Sequence, residues 1–160
     1  GKWRLYLVAD FKNANEYWNL GMEPLTSQYR WTHFYEKLKK RNTKIKSLLL
    51  NQQFVAGLGN IYTDEALFEA GVRPVRRTIS LSKIEKTRLF EAIPKVLERG
   101  LKYGGTSFQN YLNVNGETGN NQEHLRVYGR SGKTCWQCQE QIVRILVCQR
   151  SSHFCPHCQR

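Results

Sequence analysis

Four of the five cysteines fall in two close pairs, Cys135-x2-Cys138 and Cys155-x2-Cys158, with sixteen residues between the pairs. Few arrangements of a chain can satisfy that spacing. Each pair can close a tight knuckle presenting two sulfurs, and two knuckles complete a tetrahedron around one structural zinc ion. Two disulfides are the alternative, but the start of the chain has no secretory apolar region, which argues against an oxidising compartment. A redox pair would not need the second CxxC. His157 could compete as a ligand, yet four thiolates already satisfy zinc, so it reads as a knuckle side chain. The expected metal ligands are Cys135, Cys138, Cys155 and Cys158. Cys148, left over in the run Ile142 to Cys148, is expected to be a packed thiol.

Between the pairs, residues 142–148 read as a strand that returns through Ser152-His153-Phe154, with Gln149-Arg150-Ser151 at the tip. A cation on a metal-braced tip suits a phosphate contact, and a merely solvated Arg150 is the plainer alternative. Charge points the same way. Lys plus Arg is 25 against 13 Asp plus Glu, a net charge of +12, and a domain this basic is drawn to polyanions. The excess peaks at residues 30–46, where Arg30, Lys37, Lys39, Lys40, Arg41, Lys44 and Lys46 face one acid, Glu36. A solvated helix face would explain the run, but nucleic acid explains it better. With 40% apolar residues the chain reads as globular, and no apolar run approaches the roughly 20 residues of a membrane helix.

The rest of the chain is organised for helices. Residues 3–8 alternate like a strand, which alone would be unstable and so reads as a remnant of a larger sheet. The chain opens Gly1-Lys2-Trp3 without a Met, and it therefore reads as a fragment or a processed chain rather than a complete translation product. Thr32 can cap a helix to about Lys40, with Phe34, Tyr35 and Leu38 inward. Asn42 or Thr43 can cap another over Lys44 to Gln52, burying Ile45, Leu48 and Leu49. After the two-glycine turn Gly57-Leu58-Gly59, Asn60 can cap a helix from Ile61 to Ala70, ended by Gly71 and Pro74. Ser82 and Glu85 form a capping box for a helix from Lys83 to Tyr103. Its stripe would be Ile84, Leu89, Ile93, Val96, Leu97 and Leu101, and Pro94 should kink or divide it. On local pattern alone Asn60 is an N-cap and Lys46 a surface lysine.

The stretch Gln53 to Leu67 resembles the helix-two-turn-helix segment of formamidopyrimidine-DNA glycosylases and their endonuclease VIII relatives. Leu20 to Leu25, Gly104-Gly105-Thr106, Val127-Tyr128-Gly129-Arg130 and Cys135 to Gln159 agree in the same order. The resemblance, over about residues 5–160, implies a mainly α fold. A remnant of an N-terminal β-sandwich and linker would occupy 1–24, a helix-two-turn-helix domain 25–121, and a zinc-binding β-hairpin 122–160. It implies the DNA-gripping half of a bifunctional DNA glycosylase and abasic-site lyase that excises oxidised purines, flipping the damaged base out of the stack. DNA contact is then expected at Lys46, Gly59, Asn60, Tyr128 and Arg150. The loop Asn113 to Glu123 lies where oxidised-guanine enzymes cover the everted base. The partner would be damaged duplex DNA, the chain a monomer with no membrane association, the location cytoplasm or nucleoid.

Three positions depart from the family pattern. The catalytic proline-glutamate start has no counterpart, so no catalytic residue is expected and the chain alone should be inactive. Asp10-Phe11-Lys12 stands where the void-filling Arg-Phe-Gly finger falls, which favours the alternative of a non-catalytic paralogue that binds bent nucleic acid. Gln139 follows the first CxxC where glycine is usual, so that knuckle should be strained.

Overall fold

The computed structural model describes residues 20–106 and 119–160. The strand expected at 3–8, the finger position and most of the loop 113–123 lie outside the described residues. Among the described residues, four helices come first: α1 (Trp31–Lys39), α2 (Ile45–Leu49), α3 (Asn60–Ala70) and α4 (Lys83–Lys102). Short 3-10 turns occupy Thr78–Ser80 and Asn121–His124, and two antiparallel strands follow, β1 (Val143–Val147) and β2 (Arg150–Phe154). No described helix is long and apolar enough to cross a membrane.

The helices share one core. Phe34 and Leu38 from α1, Ile45 and Leu49 from α2, Ala66 and Leu67 from α3, and Leu89, Ile93 and Val96 from α4 are all buried in it. The expected stripe of α4 is shorter than its pattern, because Ile84 is 71% exposed and Leu101 69% exposed. The capping box forms: Ser82 Oγ accepts from Glu85 N, and Glu85 Oε2 accepts from Ser82 N. Pro94 does not divide the helix. Its missing N–H leaves the carbonyl four residues back without a helical donor, and the Tyr29 hydroxyl donates to that Phe90 carbonyl at 3.2 Å. The Tyr29 ring also stacks on Phe90, with centroids 4.4 Å apart. At Gly100 an added Cβ would lie 2.2 Å from the Tyr62 hydroxyl, so glycine sets how closely α3 approaches α4.

The first two helices begin differently from their cap signals. Helix α1 starts at Trp31, one residue before Thr32, without a side-chain cap. Helix α2 is a short segment preceded by extended Lys44. Its expected caps serve tertiary bonds instead: Asn42 Oδ1 accepts from Arg77 Nη1 (3.0 Å), and the Thr43 carbonyl accepts from Thr78 N (2.9 Å). The hairpin pairs Val143 with Phe154 and Val147 with Arg150. Its loop is only Cys148 and Gln149, at φ 52° and 60°. Two left-handed residues match the twist of the flanking strands. The tip is therefore one residue earlier than expected, Arg150 opens β2, and Cys148 is exposed rather than packed.

Candidate nucleic-acid interface and metal centre

Helix α3 is N-capped by Gly59, with no side-chain capping bond, and Asn60 is its first residue. The Asn60 side chain has another partner: Nδ2 donates 3.0 Å to the Ser151 carbonyl on β2. Lys46 reaches the same oxygen. Its Nζ donates to Ser151 O at 2.8 Å and to Asp64 Oδ1 at 2.6 Å. Lys46 has no exposed surface, so the surface-lysine expectation is corrected. Burial pushes its ammonium pKa down, Asp64 opposes that shift, and nearby Arg150 adds to it. Removing two charges from water is costly, and the pair persists because each charge also has hydrogen-bond partners.

Asp64 links three elements. Its Oδ1 takes Lys46 of α2, while its Oδ2 accepts from His153 N of β2 at 2.8 Å. The next residue, Glu65, faces the segment before the hairpin. Glu65 accepts from Arg126 N at 2.9 Å, Val127 N at 2.9 Å and Tyr128 N at 3.0 Å. A ring of backbone N–H groups around a buried carboxylate is how an ion in the interior is satisfied. Arg99 of α4 lies 3.4 Å from Glu65 Oε2, the oxygen that also accepts from Arg126 N at 2.9 Å. Tyr128 is thereby fixed, and its ring meets His153 edge-on at 4.8 Å between centroids.

The residues singled out in the sequence thus gather at one place. Lys46 and Asn60 converge on Ser151, Gly59 precedes Asn60, exposed Arg150 precedes Ser151, and Tyr128 packs behind β2. Sequence reasoning missed Asp64 and Glu65. The signal was present: α3 contains three acids and no Lys or Arg, so its buried carboxylates must be matched from other elements.

The four cysteines also come together. All four Sγ atoms lie within 4.8 Å of one another, with Cys135 and Cys158 at 3.9 Å and Cys138 and Cys155 at 3.4 Å. A disulfide needs sulfurs about 2.05 Å apart. Four thiolates around one ion at about 2.3 Å have sulfur–sulfur edges near 3.8 Å, which these separations fit. Gln137 N and Cys158 N donate to Cys135 Sγ and Cys155 Sγ, both at 3.4 Å, as knuckle backbones do. Gln139 has φ 65°, the left-handed backbone for which glycine would be unstrained. His157 is exposed and outside the cluster. The four-cysteine end is tied to the helices through Arg73, which donates to the Pro156 and Gln159 carbonyls at 2.7 and 2.8 Å. Gln159 Nε2 returns a bond to the Val72 carbonyl at 2.8 Å.

A helical body joined to a hairpin with a four-cysteine cluster defines the class of fold, and the comparisons make it specific. Residues 20–111 match the formamidopyrimidine-DNA glycosylase H2TH domain, so the chain belongs to that family. The formamidopyrimidine-DNA glycosylase of Herpetosiphon aurantiacus is 43% identical over 99% of this chain and 58% of its own length. That of Solibacter usitatus is 49% identical over 88% of this chain and 53% of its own length. Among solved structures, the complex of Lactococcus lactis Fpg with DNA containing an abasic site superposes with a TM-score of 0.89. It is 38% identical, over 96% of this chain and 56% of that one. MutM bound to DNA containing carbocyclic 8-oxo-G gives 0.89 at 36% identity, covering 99% of this chain and 58% of its own. The chain spans about half the length of the curated relatives it matches.

Proposed function

We propose that this chain is the DNA-gripping half of a bifunctional DNA glycosylase and abasic-site lyase that removes oxidised purines in base excision repair. The observation that carries the reading is the double hydrogen bond to Ser151: Lys46 and Asn60 lock the hairpin tip to the start of α3. That lock sets exposed Arg150 beside a helix N-terminus whose first N–H groups lack helical acceptors, a ready phosphate cradle. Gly59 supports it, since a Cβ there would meet only open space and its backbone is open to close approach. The relatives solved with abasic and 8-oxo-G DNA lend the substrate class.

In this reading Arg150, Gly59, Asn60 and Tyr128 form the contact surface, and Lys46 is first a positional residue. A phosphate contact by Lys46 requires its ammonium to leave Asp64 or Ser151. One zinc ion held by Cys135, Cys138, Cys155 and Cys158 would bind the hairpin's base and supply no chemistry to the reaction. Its role is to fix Arg150 and Ser151 relative to the helices. None of the described residues is assigned the nucleophile, because the reaction needs an amine free to attack C1′ of the sugar. Lys46, enclosed in its ion pair, is not such an amine. We further propose a monomer acting in the cytoplasm or nucleoid.

The test uses a duplex with an abasic-site analogue, read by affinity against salt. The chain should bind it, and Arg150→Ala should lower the salt slope by about one unit while leaving sequence preference unchanged. Borohydride trapping and strand cleavage on a true abasic duplex should give nothing with this chain alone. Efficient trapping would assign it a nucleophile of its own and overturn the division of labour. An unchanged slope would remove Arg150 from the phosphates.

A further inference from the structure

Of the basic run at residues 30–46, only Lys46 reaches the Ser151 carbonyl. Two adjoining depressions, of about 440 and 300 Å³, lie between the end of α1 and the residues around α2. They share Lys40, Arg41 and Asn51, and together form one trough also lined by Lys37, Ser47 and Gln53. Among the described residues, no carboxylate lines either depression. The nearest acid in sequence, Glu36, is occupied by Lys39 at 2.7 Å. Exposed Lys44 and Arg77 flank the trough, with Arg77 held in place by Asn42. Among the described residues, Lys37, Lys40, Arg41 and Lys44 form no ion pair.

We infer that this trough is a second phosphate-backbone site, which takes duplex DNA flanking the segment held at Arg150. This rests on the DNA-binding reading above. Cations interleaved with amides and a hydroxyl suit a row of phosphates, which need both charge and hydrogen-bond donors. Its position argues for flanking DNA. Ser47 follows Lys46 on α2, so it points about 100° round the helix axis from the lock. The trough is around the corner from Arg150 yet rigidly joined to it through one short helix. A duplex gripped at Arg150 reaches the trough only if it is long enough and bends towards it. The deformation is repaid by the additional contacts.

Duplex length separates this site from the first. Affinity should be measured against salt for the chain on a duplex of about 10 base pairs centred on the abasic analogue and on one of about 25. The Lys40→Ala/Arg41→Ala variant should lose about two units of slope on the long duplex and none on the short one. Arg150→Ala should lose its one unit on both. Both trough side chains are exposed, so the double variant should keep its thermal midpoint; Lys37→Ala is a second, single-charge variant expected to lose about one unit on the long duplex. An unchanged long-duplex slope for both trough variants overturns the proposal, and so does an equal loss on both lengths. Binding of a polyglutamate peptide that the double variant abolishes, with long-duplex slopes unchanged, reassigns the trough to an acidic protein. If neither duplex shows salt-dependent binding to the unaltered chain, the underlying DNA reading fails instead.

Discussion

The helical body and the cysteine hairpin are held together by different physics. In the body, eighteen buried residues drawn from all four helices and their connections make one core. In the hairpin module the corresponding cluster is Phe68, Val127, Cys135, Ile142 and Cys155, one of them belonging to α3 and two of them cysteines. A segment of under about 40 residues rarely buries enough apolar surface to fold alone. The module is stabilised instead by its sulfur cluster and by polar bonds to its neighbour. Asp64, Glu65, Arg73, Lys46 and Asn60 all reach across to its backbone. The body is shaped by hydrophobic burial, which tolerates approximate fits. The hairpin is placed by directional bonds, which fix the position of its tip.

The sharpest way to break that contrast is at the four cysteines. Cys135→Ser, or a strong chelator acting on the unaltered chain, should abolish hydrogen-exchange protection in the hairpin while the amides of α4 stay protected. Metal analysis should find one zinc per unaltered chain, because metal binding supplies most of such a module's folding free energy. Loss of both regions in a single transition, or a hairpin intact in chelator, would erase the distinction. Next in size is Asp64→Ala, which strands the Lys46 ammonium in the interior and should cost about 3–5 kcal/mol in denaturant unfolding. Leu89→Ala is the counterpart in the body, with about 2–5 kcal/mol expected, and its cost should not change with chelator. Ile84→Ala should be smallest, within about 0.5 kcal/mol, because that side chain is in water despite its place in the helical pattern. An Ile84 effect as large as that of Leu89 would mean that α4 packs differently.

Much of this was legible in the sequence because it depends on near neighbours. The capping box at Ser82, the knuckles at Cys135 and Cys155, and the return of the chain from 142–148 to 152–154 all involve residues few positions apart. Where sequence reading went astray, a distant partner had intervened. Asn42 and Thr43 were free in the linear pattern to cap α2, but residues 77 and 78 claim them. Pro94 was expected to kink or divide α4, and the helix is not divided: Tyr29 donates to the carbonyl that proline leaves without a helical donor. Cys148 was expected inside, yet a two-residue turn puts it at the exposed tip.

By itself the sequence determined most of the helices, the pairing of the four cysteines and the hairpin, since spacing and local propensity encode those; the residues that gather near the hairpin were singled out by the family resemblance. Only the tertiary structure decided what Lys46 and Asn60 do. Lys46 reads as a solvated cation and Asn60 as a cap until β2 brings the Ser151 carbonyl within 2.8 and 3.0 Å of them. Asp64 likewise has no partner within its own helix and acquires Lys46 from 18 residues away and His153 from 89. A buried charge or amide is assigned by whatever the fold places within hydrogen-bond reach, because leaving it unmet in the interior costs more than almost any local preference can recover.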